Sequence, residues 1–161
     1  MLYSQVKFKL LILIFIIQYT CVDAQRVKLP IYFGIDAMQN LYQIDSIKNL
    51  FAEQGFMLVR ESAVQMINNY ESIIFLPLKQ NQWYKFVFVG DLSSKSFQQR
   101  LYDFEEKKLL TINQKIKDTE ANIIQFDYIP KFAEFHALKS LQINKTKKYV
   151  NGYFLLFRKT S

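Results

Sequence analysis

Cysteine is almost missing from this 161-residue chain, which has Cys21 alone. That residue falls in an N-terminal segment read below as a leader. The rest of the chain is therefore expected to hold no disulfide, zinc thiolate, iron–sulfur cluster or catalytic thiol. Histidine is as scarce, with only His136. One imidazole and no dense Asp/Asn loop predict no metal site, because a calcium ion needs about six to eight oxygens. Asp103, Glu105 and Glu106 read as a solvated turn instead. The four glycines, Gly34, Gly55, Gly90 and Gly152, stand apart from one another. None belongs to a loop that could cradle a phosphate, and no cofactor is expected. No G-x-S-x-G elbow accompanies His136, so no catalytic residue is assigned.

What is present begins with an export signal. Lys7 and Lys9 precede the apolar run Leu10–Ile17, and Val22-Asp23-Ala24 places small residues before Gln25. A basic start, a short apolar middle and small residues at −3 and −1 predict a secretory signal peptide over residues 1–24, cleaved after Ala24. Eight apolar residues are too few for a membrane anchor, which needs about 20. A lipoprotein signal built on Cys21 would want an aliphatic residue at −3 and a small one at −1, where Gln18 and Thr20 stand. Residues 25–161 then form a single globular domain, expected outside the cytoplasm in the periplasm or at the cell surface, with no transmembrane span.

The chain is basic, at +7, and loss of Lys7, Lys9 and Asp23 leaves +6. Such a charge favours anionic partners. Envelope polymer, an anionic surface or another envelope protein are the expected ones, and nucleic acid is not. The abundance of Ile, Phe and Tyr argues against disorder.

Periodicity supplies the elements. Met38, Leu41, Ile44, Ile47 and Phe51 recur at steps of three or four and predict one amphipathic helix over 36–54. Asp36 can cap its start, and Gly55 stands where a left-handed stop residue belongs. An extended arm is expected at 26–33. From Phe56 the period becomes two. Strands are expected at 56–67, 72–79, 83–89, 96–104, 108–113, 122–129, 132–143 and 149–158. The polar Gln80-Asn81-Gln82 makes 72–79 and 83–89 the expected hairpin. Helix is an alternative over 96–113. About eight short strands after one helix predict a mainly β fold, an antiparallel, jelly-roll-like β-sandwich. The alternative is an α+β fold with an antiparallel sheet.

Two surface groups are candidate binding residues. Trp83 and Lys85 are expected on one strand face, opposite Tyr84 and Phe86, where a ring beside a cation could stack on a sugar. Lys145, Lys147 and Lys148 form a basic loop that could hold an anion, with Lys139, Arg158 and Lys159 as possible neighbours. Asn144-Lys145-Thr146 also matches the N-glycosylation triplet. His136, with Glu134 two residues away, supports an alternative reading as a small secreted hydrolase. A third reading is an assembly subunit that pairs through edge strands.

The segments WYKFVFVGD (83–91), RLYD (100–103), EEKKLL (105–110), NIIQFDYIP (122–130) and GYFLLF (152–157) resemble secreted bacterial β-sandwich domains of the pre-peptidase C-terminal type. The resemblance covers residues 83–159. It implies a β-sandwich and a non-catalytic accessory role, although no enzyme domain is expected within residues 25–161 and the helix is extra.

Overall fold

The computed structural model describes residues 35–115 and 122–160. The expected leader, its cleavage point and the arm at 26–33 lie outside these residues, as does the side chain of Asp36. One helix, α1 (Ile35–Glu53), precedes eight strands: β1 (Phe56–Ile67), β2 (Ser72–Leu78), β3 (Tyr84–Val89), β4 (Ser96–Tyr102), β5 (Lys108–Lys115), β6 (Ile123–Tyr128), β7 (Glu134–Ile143) and β8 (Tyr149–Lys159). The helical alternative over 96–113 is replaced by β4, a turn and β5.

The strands form two antiparallel four-stranded sheets, ordered β1-β8-β3-β6 and β2-β7-β4-β5. This interleaved order is the jelly-roll form of the sandwich. The expected hairpin of 72–79 with 83–89 does not form. β2 pairs with β7, while β3 lies in the other sheet between β8 and β6. The loop between them is an arch from sheet to sheet. Its Asn81 N–H donates to Pro130 O across the end of the fold at 2.9 Å, so its polar groups are satisfied outside any hairpin.

Alternation builds the interior. Tyr84, Phe86 and Phe88 of β3 meet Ile124 of β6, Phe154 and Leu156 of β8, and Leu76, Phe97, Leu101 and Leu138 of the second sheet. The opposite side of β3 is also covered. Val87 and Val89 join Leu155 and Phe157 beneath Ile44, Ile47 and Phe51 of α1. Phe51 meets Phe157 edge-on at 5.0 Å, and Lys48 reaches Glu61 of β1 at 2.5 Å. The apolar stripe is thus buried from Ile44 onward, whereas Leu41 is exposed. Gly55 ends the helix with φ 73°, and its N–H donates to Ala52 O at 2.9 Å.

One strand inverts the usual pattern. In β7 the buried side carries His136, Leu138, Ser140 and Gln142, and the outward side carries Phe135, Ala137, Lys139, Leu141 and Ile143. Internal partners make this tolerable. Ser140 Oγ donates to Gln99 Oε1 at 2.8 Å. Gln142 accepts from Asp91 N at 2.8 Å and donates to Asn151 O at 3.1 Å. Its outward apolar side leaves the outer face of the second sheet greasy along β2 and β7.

Candidate functional site

The two basic groups expected from the sequence stand at opposite ends of the sandwich. The β7–β8 loop, with Lys145, Lys147 and Lys148, meets the β1–β2 and β3–β4 connections. Asn144 organises this end. It accepts from Thr146 N and Lys147 N at 2.9 and 3.0 Å, and its Nδ2 donates to Ser93 Oγ at 2.8 Å. It is buried, so the glycosylation triplet is closed in the folded chain. Lys147 is held by both carboxylate oxygens of Asp91 at 3.2 Å. Burial alone would raise the Asp91 carboxyl. The hydrogen bonds from Ser93 and Lys147 outweigh it and hold the group below its ordinary range. Lys148 lies over the Tyr149 ring at 5.3 Å, and Lys145 is exposed. Arg158 and Lys159 belong to the other end, and Lys139 stands over Tyr102 at 4.6 Å on the second sheet.

At that other end an aromatic cluster carries the cations. Trp83 precedes β3, is 42% exposed, and meets Phe56 edge-on at 5.4 Å. Lys85 lies over the same Phe56 ring at 5.4 Å, so Trp83 and Lys85 share Phe56 as a neighbour. Its ammonium, however, is half-buried and bound to Asp127 at 2.7 Å. Lys159 is the freer cation. Its Nζ stands 5.0 Å from the Phe56 centroid and 6.0 Å from that of Trp83. Backbone contacts fix it there: Lys159 N donates to Trp83 O at 2.8 Å, and Nζ donates to Gln54 O at 2.6 Å.

Beside Trp83 a depression is lined by Lys79, Gln82, Arg158, Lys159 and Thr160. Among the described residues, Lys48, Lys85, Arg100 and Lys147 each have a carboxylate partner. None of the ion pairs among the described residues involves Lys79, Arg158 or Lys159. Three cations without carboxylates therefore converge on one concavity, the arrangement that an anion would neutralise. Lys79 was not a candidate from the sequence. Its position depends on the arch between the sheets, which periodicity does not reveal.

His136 is a core residue, 1% exposed. The Tyr128 hydroxyl lies 3.1 Å from Nε2, and Nδ1 lies 3.3 Å from Glu134 O. Both contacts are satisfied when Nδ1 carries the proton and Nε2 accepts. Burial, with the charges of Glu134 and Asp103, raises the Tyr128 phenol above its ordinary value. Both ring nitrogens are thus engaged inside the fold, where a base for hydrolysis would need access to substrate. The β1 and β2 edges are guarded against strand addition. Arg60 Nη1 donates to Phe75 O at 2.8 Å, the β1 register shifts between Leu58 and Arg60, and Pro77 sits in β2. Among the described residues no three His, Cys, Asp or Glu side chains gather as a metal site, and no helix is long and apolar enough to cross a membrane.

No protein-family model matches the chain, and a search of curated proteins finds no significant match.

Proposed function

We propose that this chain is a non-catalytic binding module that recognises an anionic surface through the end bearing Trp83. The observation that carries the reading is the convergence of Lys79, Arg158 and Lys159 on one depression without carboxylate partners. The half-exposed indole beside them offers a flat apolar contact of the kind that accompanies cations in ligand sites. Export by a leader cleaved after Ala24 would place the module at the envelope, as would the resemblance of residues 83–159 to pre-peptidase C-terminal domains. The N-terminal mass of the exported protein tests the cleavage point.

Binding to cell-envelope fractions tests the function. Retention is expected at low salt and loss at about 0.5 M, where exposed charges are screened within a few ångströms. Lys79→Gln with Arg158→Gln is expected to weaken low-salt retention about tenfold or more, since each contact of this kind contributes on the order of 1 kcal/mol. Retention unchanged by salt and by the double variant removes the proposal.

A further inference from the structure

We infer that the anionic surface is a lipid bilayer, entered by the phenylalanine-bearing loops next to the cationic depression. The inference rests on the anionic-surface reading and names its partner.

Three strand connections, β2–β3, β4–β5 and β6–β7, lie at this end beside the α1–β1 turn at Gln54 and Gly55. The first and third are tied together, by Asn81 N to Pro130 O at 2.9 Å and Gln80 Nε2 to Lys131 O at 2.8 Å. The second lies close by, because Tyr102 pairs with Ala137 at the matching end of β7 and the Asp103 charge acts on Tyr128. Phe104, in the β4–β5 turn, is 71% exposed, and Phe132, in the β6–β7 connection, is 65% exposed. Phe75 and Phe135 continue the apolar surface up the outer face of the second sheet, with Pro77 opposite Phe135 and Phe75 opposite Ala137. The inverted alternation of β7 makes that continuation possible.

Large rings at the tips of separate loops have no internal role. Patches of this kind on a folded chain mark contact surfaces. Cations surround them: Lys79, Arg158 and Lys159 in the depression, Lys131 next to Phe132, and Lys107 and Lys108 after Phe104. Glu105 and Glu106 are the opposing charges in that turn, and the Asp103 carboxylate is turned back onto Lys107 N at 2.8 Å. This mixture suits the border of an anionic bilayer. Rings enter the acyl boundary, which requires no shape match, while lysine and arginine remain at headgroup level. A protein partner would need a concavity moulded to rings on four different elements.

Sedimentation of the purified protein with vesicles tests this. Vesicles of phosphatidylcholine with about 30% phosphatidylserine supply the anionic leaflet, pure phosphatidylcholine is the control, and dextran sulfate is an anionic polymer without acyl chains. The protein is expected to sediment with the anionic vesicles and not with the control, and to shift Trp83 emission to the blue. Phe104→Ser with Phe132→Ser is expected to lower vesicle partitioning about tenfold or more, as loss of two buried rings requires, and to leave dextran sulfate binding and circular dichroism unchanged. Dextran sulfate binding without vesicle binding overturns the lipid inference and leaves the anionic-surface reading standing. Vesicle binding that ignores the double variant overturns it too, as does a dimer that shields Phe104 and Phe132. Failure to bind either ligand defeats both.

Discussion

Gly90 has no space for a side chain. A methyl group there would fall 2.0 Å from Phe97 Cε1, inside the core. Gly90→Ala is therefore expected to cost about 1–3 kcal/mol, the usual price of overpacking, read as a lower urea midpoint. Phe97→Leu in the same chain should recover part of the loss, because the two sites share one volume. The steric reason for this glycine is visible only once β4 lies under β3. Asp91 sets a second residue-scale expectation. Its carboxyl is held below the unfolded value of about 3.9. Its contribution to stability is therefore complete above that value and is lost as pH falls through the lower, folded pKa. Asp91→Asn should lower the midpoint at neutral pH, and the gap from the unmodified chain should close as the pH drops below about 4.

The elements were legible in the sequence because their signals are local. The three-and-four stripe from Ile44 to Phe51 and the alternation in β3 and β6 are each complete within a dozen residues. Pairing was not legible. Gln80-Asn81-Gln82 has the composition of a hairpin turn, and its use as an arch depends on Pro130, about fifty residues away. β7 was hidden in another way, since its polar side faces inward and alternation alone would turn it over. The helix makes a prediction of its own. Phe51 packs against Phe56 and Phe157 and lies beneath Lys85. Phe51→Ala is expected to cost about 3–5 kcal/mol. It should also loosen α1 from Val87 and Leu155, read as faster amide exchange on that face of the first sheet.

At the scale of the whole molecule, the jelly-roll order decides which basic residues act together. It sends Lys145, Lys147 and Lys148 to one end and gathers Lys79, Arg158 and Lys159 at the other, beside Trp83. Lys145→Gln with Lys148→Gln is accordingly expected to leave envelope retention within about twofold of the original, because long-range charge is screened within about 10 Å. The variant pair at Lys79 and Arg158 should abolish most of it. Equal losses from both pairs would mean that net charge, not the Trp83 end, does the binding. The sequence supplied Trp83 and the basic residues but not their grouping, which is a property of strand order.

The last of the described strands is also an inner one: β8 lies between β1 and β3, with Phe56 opposite Lys159. The first sheet therefore cannot close before β8 has been synthesised. Nearly every pairing spans a long stretch of chain, so the closure entropy must be met before the core can form, and folding is slow. A ribosome-bound chain shorter than β8 has only fragments of the first sheet.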